Sequence, residues 1–298
     1  MPTYKALEKC PQLHLVPPNF EKYQAVSRQI RGIFEDYTDL LEPLSLDEAY
    51  LDVSRRKKPA SLIAKEIRER ILKELDLPSS AGIGPNKMLA KIASDWNKPN
   101  GQFEIEPKEV DSFMHELPVR KLWGVGPKTE EQLETLGVRI CGELQQFPLA
   151  DLVRRFGKFG AELHSLARGI DERPVEPHRK RKSMSVERTF GDFITGLGGA
   201  AEKILDLSKE LLEEIEAEDK KNQVAGIFLK VKFSDFSVTT VSKAKLKPTF
   251  EHYFSLLPEG ISRNPNPIRL LGVGVRLRTD DIEQQQLDFW KLLIPLEN

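Results

Sequence analysis

Asp47 and Glu48 are the residues best placed to do chemistry. They sit side by side in a mostly apolar stretch, residues 40–53, that ends Tyr50-Leu51-Asp52-Val53. That stretch suits a buried strand. Ionised carboxylates are rarely buried without a partner. Strand neighbours point to opposite faces, so a regular strand would bury one of the pair in any register. A turn, a bulge or a bound cation would relieve this; an edge strand with a solvated face would also do so. Hard divalent cations such as Mg²⁺ favour oxygen ligands and usually keep waters and substrate phosphates as well. Two such ions about 4 Å apart can activate an attacking oxygen and stabilise a leaving one.

Further along, Trp123-Gly124-Val125-Gly126-Pro127-Lys128-Thr129, running on to Leu133 and Leu136-Gly137-Val138, resembles a helix-hairpin-helix. Glycines let the backbone approach a phosphate closely, and N–H groups at the following helix start can bind it. Such a contact is independent of base sequence. Gly124, Gly126, Lys128 and Thr129 are its candidate DNA contacts, with Arg154, Arg155 and Lys158 nearby. Gly82-Ile83-Gly84-Pro85-Asn86-Lys87 lacks the spacing and the Gly-Lys-Ser/Thr ending of a phosphate loop, and reads as a strand-to-helix turn. A basic run, Arg179-Lys180-Arg181-Lys182, sits in the Pro-rich stretch 173–183. Beyond it, one helix is acidic (Glu202, Asp206, Glu210, Glu213, Glu214, Glu216) and the following strands are basic (Lys230, Lys232, Lys243, Lys245). This segregation predicts a sheet face that meets a phosphate backbone and a helix that faces solvent.

The elements that must position these groups follow from periodicity. A short strand is expected at 13–16, closed by Pro17-Pro18, then helices over 20–37 and 60–75. A strand at 79–83 leads into a helix through Trp96, which implies a sheet covered by helices on one face. Residues 107–170 read as short helical pieces broken by glycines, with no convincing strand. Residues 173–183 form a linker by composition. After it come strand 184–190, a helix near 198–219, strands 223–233 and 237–245, a weaker helix near 249–257 and strand 268–278, the order β-α-β-β-α-β.

With 298 residues the chain is long enough for two or three domains of roughly 100–150 residues. The formal net charge is -1, so no uniformly basic surface is available and charge must be segregated. Cys10 and Cys141 are the only cysteines; neither a disulfide framework nor a Cys/His metal spacing is possible, which fits a reducing cytoplasm. No apolar run approaches the ~20 residues of a membrane span, and residues 1–20 carry no signal-peptide pattern.

The string Ser45-Leu46-Asp47-Glu48-Ala49-Tyr50-Leu51-Asp52 resembles the central catalytic motif of Y-family DNA polymerases, most closely the bacterial DNA polymerase IV group. Leu89-Ala90-Lys91-Ile92-Ala93-Ser94-Asp95, followed by Asn97-Lys98-Pro99-Asn100-Gly101-Gln102, is similar to that family's second palm motif. Arg181-Lys182-Ser183 and Val186-Glu187-Arg188-Thr189 resemble its entry into the little finger, an extra DNA-gripping domain. Met1-Pro2, Ala6-Leu7 and Cys10-Pro11 resemble the end of its fingers domain.

The resemblance implies an α+β fold: residues 1–105 as palm with a fingers remnant, 106–172 as a small helical thumb, 173–183 as a basic linker, 184–280 as a βαββαβ little finger and 281–298 as a clamp-binding tail. Asp47 would ligate metal, and Glu48 would bind the primer-side metal or aid deprotonation of the primer 3′-hydroxyl. Lys98 would contact the triphosphate; Asp52 would be structural. Arg179, Arg181, Lys182, Ser183, Arg188, Lys230 and Lys232 would join the thumb in gripping DNA. Gln286-Leu287-Asp288-Phe289-Trp290 is similar to the peptide by which bacterial polymerases dock on the sliding clamp, and would bury apolar anchors in a groove. The implied activity is error-prone translesion synthesis by a cytoplasmic, monomeric enzyme that uses two Mg²⁺ ions, primer-template DNA, deoxynucleoside triphosphates and the clamp, with no membrane. The family's first strand, with a further metal-binding Asp, an aromatic ribonucleotide gate, and Tyr and Arg contacts to the triphosphate, has no counterpart here. The chain is therefore expected to be a truncated or misplaced-start product, or a non-catalytic, clamp-bound DNA-binding remnant.

Overall fold

Apolar residues four apart make the first packing surface. Ile63, Ile67 and Ile71 line one face of helix α3 (Ala60–Leu75) and pack against Ile33 of helix α2 (Phe20–Glu35). A short helix α1 (Thr3–Lys9) precedes them and buries no side chain. The structure is a computed structural model that describes residues 1–178 and 180–278. Arg179 and the 286–290 peptide therefore lie outside the described residues. The chain divides into two units, Met1–Arg179 and Lys180–Asn298.

In the first unit, residues 13–16 form no strand; Leu15 and Val16 are exposed. The stretch 40–53 is not one strand but a hairpin. Strand β1 (Leu41–Pro43) pairs antiparallel with β2 (Ala49–Leu51), in the register Leu41↔Leu51, Glu42↔Tyr50, Pro43↔Ala49. Strand β3 (Ala81–Ile83) leads through the Asn86 N-cap into helix α4 (Lys87–Ser94) and pairs in parallel with β4 (Gln102–Glu104), a strand the periodicity did not reveal. Instead of a single sheet, this region holds two separate pairs of short strands.

Residues 107–170 are short helices: α5 (Val110–Glu116), α6 (Pro127–Glu134), α7 (Cys141–Leu144), α8 (Leu149–Phe156) and α9 (Lys158–Leu166). Their core is not private to them. Met88, Leu89, Ile92 and Ala93 of α4 join Met114, Leu133, Leu144, Leu152 and Leu163 in one hydrophobic cluster.

The second unit has the expected βαββαβ order: β5 (Ser183–Ile194), α10 (Gly196–Ala217), β6 (Val224–Phe233), β7 (Val238–Ala244), α11 (Phe250–Ser262) and β8 (Ile268–Leu277). The sheet order is β5-β8-β6-β7, all antiparallel. Alternate residues Ile227, Leu229, Val231 and Phe233 share one hydrophobic core with Ala200, Ile204, Leu207, Leu211 and Ile215 of α10 and Tyr253, Leu256 and Leu257 of α11. Lys230 and Lys232 therefore lie on the opposite face. Tyr253 of α11 is fully buried and donates its hydroxyl hydrogen bond to Gly274 O at 3.1 Å; burial pushes its phenol well above the usual tyrosine value.

One polar knot closes the loops at an end of this sheet. The Asp235 carboxylate accepts from the Ser237 hydroxyl (2.7 Å) and N–H (2.9 Å), and from the Asn264 and Asn266 amides (3.0 Å each). The Ser237 and Asn264 side-chain donors lead in holding its pKa down at about 2. A depressed folded-state pKa stabilises above the unfolded value of about 3.9 and is lost as pH falls through the folded value. We expect Asp235→Asn to remove that part of the second unit's stability change between pH 5 and pH 2, read by acid titration of the circular dichroism signal. An unchanged acid profile would refute this.

Candidate active site

Asp47 and Glu48 lie in the turn of the β1–β2 hairpin, outside either strand, which resolves the burial conflict posed by a continuous strand. Leu44 N–H and Ser45 N–H both donate to Glu48 O, at 2.9 and 3.3 Å, and close the turn. The Ser45 hydroxyl donates to Asp47 Oδ1 at 2.6 Å and accepts from Asp47 N–H at 3.3 Å. The Asp47 side chain is thereby fixed beside solvent, while Glu48 is half-buried. Asp52 closes the hairpin base: its N–H donates to Leu40 O at 3.0 Å, and its Oδ1 accepts from Ser54 N–H at 2.9 Å.

Helix α4 brings basic groups to this turn. Lys91 Nζ lies 2.5 Å from Glu48 Oε1. One turn on, Asp95 pairs with Lys98 at 2.6 Å. The hydrogen bond that Lys98 donates to Asp95 holds Lys98 above the usual lysine value; partial burial opposes it, and the charges of Glu48 and Asp47 add to it. Lys98 thus feels both carboxylates of the hairpin. Lys91 and Asp95 both belong to the stretch that resembles the second palm motif, and the sequence alone assigns them no partner. Their four-residue spacing on a helix was the available signal, since it places them on one face.

Among the described residues no group of three or more His, Cys, Asp or Glu side chains is arranged to hold a metal. Asp47 and Glu48 are nevertheless the right donors for a hard cation. They are adjacent carboxylates with oxygen lone pairs still open, and Mg²⁺ is commonly held by one or two carboxylates with phosphates and water completing its shell. They fit a divalent cation on those terms.

The 123–129 segment forms a tight turn into α6. Gly124 has φ +83°, a left-handed conformation, and a Cβ there would meet the Phe159 ring at 2.7 Å. Gly126 is the N-cap of α6, Pro127 opens the helix, and its first turn carries Lys128, exposed, and Thr129, half-buried. In the second unit, Arg181 donates to Ser183 O at 3.1 Å and pairs with Glu218. Lys182 is exposed, and its carbonyl accepts from Leu277 N–H at 2.9 Å; Ser183 begins β5 opposite Arg276. Lys230 pairs with Glu187 at 2.7 Å, and Lys232 lies 5.0 Å from the Phe236 ring centroid. Arg269 flanks the same ring, also at 5.0 Å. Arg188 stands apart from these: its guanidinium reaches Glu210 of α10 at 2.6 Å, so the structure turns it toward the helix side.

Three family models match the chain in order. The impB/mucB/samB family covers residues 1–95, the model described as "DNA polymerase-iota, thumb domain" covers 120–171, and the impB/mucB/samB C-terminal domain covers 181–289. The DNA polymerase IV of Pseudomonas entomophila is 47% identical over 288 residues, 96% of this chain and 81% of that protein. That of Legionella pneumophila strain Philadelphia 1 is 45% identical over 95% of this chain and 81% of its own length. The chain belongs to the Y-family of DNA polymerases, in the DNA polymerase IV group. A solved Y-family DNA polymerase chimera superimposes with a TM-score of 0.84 at 26% identity, covering 93% of this chain and 82% of that one. In Y-family terms the hairpin belongs to the first matched segment, the α6 turn to the thumb and the four-stranded sheet to the C-terminal domain. No helix among the described residues is long and apolar enough to cross a membrane.

Proposed function

We propose that this Y-family chain is a DNA-directed DNA polymerase for translesion synthesis, transferring nucleotides from deoxynucleoside triphosphates to a primer 3′ end with Mg²⁺. The observation that carries this is the Asp47–Glu48 turn, open to solvent, with Lys98 in electrostatic reach from the loop that follows α4. Asp47 would hold metal. Glu48 would hold the primer-side metal or help take the 3′-hydroxyl proton. When bound, Mg²⁺ supplies charge neutralisation and activation of the attacking oxygen. Lys98 would meet the triphosphate, and the Ser45 and Lys91 contacts orient the two carboxylates before substrate arrives.

The proposed division is palm 1–105, thumb 106–172, linker 173–183, little finger 184–280 and clamp tail 281–298. The α6 turn would grip phosphates from the thumb. Lys230 and Lys232 would do so from the open sheet face, joined by Arg179, Arg181, Lys182 and Ser183 at its approach. Arg188, engaged with Glu210, would need to leave that pair to take part. We place the enzyme in the cytoplasm as a monomer.

Primer extension on an undamaged and an abasic template, with and without chelator, tests the reading. Mg²⁺-dependent incorporation supports it. DNA binding without incorporation under any divalent cation would replace it with the clamp-bound, non-catalytic reading. The tail has its own test: Leu287→Ala with Phe289→Ala should weaken capture by the sliding clamp at least tenfold and leave DNA affinity unchanged. Unchanged clamp capture would mean that the tail packs on its own domain.

A further inference from the structure

We propose that Glu42 and Lys87 form a latch that holds residues 174–176, at the start of the connection to the second unit, against the hairpin that carries Asp47 and Glu48, and so slows release of DNA. The Glu42 carboxylate Oε2 accepts from Lys87 Nζ at 2.6 Å and from the Glu176 N–H at 2.9 Å. Lys87 in turn donates to Pro174 O at 3.0 Å and lies 5.2 Å from the Tyr50 ring centroid. The two charged side chains are only 11% and 12% exposed. Behind them, Asp171 accepts from Met88 N–H at 3.0 Å and from the Arg173 guanidinium at 2.7 and 2.9 Å, while Asn86 donates to Gly169 O at 2.7 Å. Arg173 lies 6.0 Å from the Trp123 ring centroid.

A buried ion pair is weak evidence for stability, because desolvation offsets the attraction and apolar replacements often serve as well. What distinguishes this pair is where its remaining hydrogen bonds go. One partner holds a backbone N–H of the connection and the other a backbone carbonyl two residues away. Apolar residues of the same volume would fill the space without holding the chain. The site also touches the catalytic hairpin directly, since Glu42 is on β1 and Tyr50 on β2, opposite one another. Burial pushes the Tyr50 phenol up, and among its charged surroundings are Arg173, Asp171, Glu42 and the catalytic Glu48.

The consequence for DNA rests on the proposed function, in which both units contact the same duplex. Two linked binding modules act at an effective concentration that falls roughly as the -3/2 power of linker length. With the latch closed, six residues (177–182) separate Glu176 from β5; with it open, eleven (172–182) separate Asp171 from β5. The expected loss is about two- to threefold in effective concentration, seen as faster DNA release.

The exchanged pair Glu42→Lys/Lys87→Glu restores opposite charges. It leaves position 42 without an acceptor for the Glu176 N–H and position 87 without a donor for Pro174 O. A second variant, Glu42→Leu/Lys87→Met, removes both charges at similar volume. In the full chain, both should keep a melting temperature close to the parent's and speed hydrogen exchange of the Glu176 amide at least tenfold. Both should raise the rate of DNA release into a competitor trap about two- to threefold. Retained Glu176 protection would overturn the latch, and a released amide with unchanged DNA release would overturn its role. If neither variant folds, the pair serves folding alone and the proposal fails. If the parent chain does not bind DNA, the polymerase reading fails, while the exchange measurement still reports on the latch.

Discussion

Asp47→Ala and Glu48→Ala each lower nucleotide incorporation about 10³-fold in any form of the protein competent for primer extension, with primer-template affinity within twofold of the parent. A loss of this size corresponds to about 4 kcal/mol of transition-state stabilisation, the range expected when a group that positions a metal against developing charge is removed. The two side chains differ in what else they hold. Asp47 is exposed and hydrogen-bonds only to Ser45 in its own turn, so its loss should leave the hairpin in place. Glu48 also anchors Lys91, so Glu48→Gln is the informative companion. The amide can still accept from Lys91 but carries no charge for a cation. Activity of Glu48→Gln close to that of Glu48→Ala would assign the effect to charge. Full activity of both alanine variants would sink the assignment of the site.

Gly82→Ala should destabilise the first unit by about 3 kcal/mol, toward the upper end of overpacking effects. A Cβ at this position would sit 2.0 Å from Ala90 O and 2.2 Å from Ser94 N, both backbone atoms of α4. No rotamer change can relieve a clash with backbone, so β3 and α4 would have to separate. Because α4 carries both Lys87 and Lys91, the displacement would also disorganise the hairpin contacts. Urea unfolding followed by two probes, Trp123 fluorescence for the first unit and a label on α10 for the second, should show only the first transition moving. A shift below about 1 kcal/mol would show that β3 and α4 can part cheaply.

Long amphipathic elements were legible in the sequence because burial and period agree in them. Ile63, Ile67 and Ile71 mark α3, and alternating Ile227, Leu229, Val231 and Phe233 mark β6. The whole βαββαβ order could be read for the same reason. Short elements were not legible. Residues 13–16 have strand composition but no partner strand, and β4 exists only through parallel pairing with β3 across a helix. The acidic pair was recognisable by type, yet its setting was not. An apolar run of fourteen residues looks like one strand, whereas Glu48 O accepting two N–H groups folds it into a hairpin. The resemblance of Val186-Glu187-Arg188-Thr189 to the little-finger entry implies a DNA contact for Arg188; only the proximity of Glu210 on α10 shows its engagement with the helix. The partner of Lys91 lies 43 residues away, beyond any local pattern in the sequence.

The core shared by α4 and the helices of 107–167 bears on how such enzymes can be recombined. Met88, Leu89, Ile92 and Ala93 point into that core, while Lys87 and Lys91 reach the hairpin from the same helix. A graft that joined this thumb to another palm at residue 105 would cut the core in two and pair each half with side chains selected against a different neighbour. A crossover ahead of Asn86 keeps the apolar cluster whole and moves the mismatch to the Lys87 and Lys91 contacts with the hairpin and to the close seat of Gly82 of β3 against α4, which the incoming palm must reproduce.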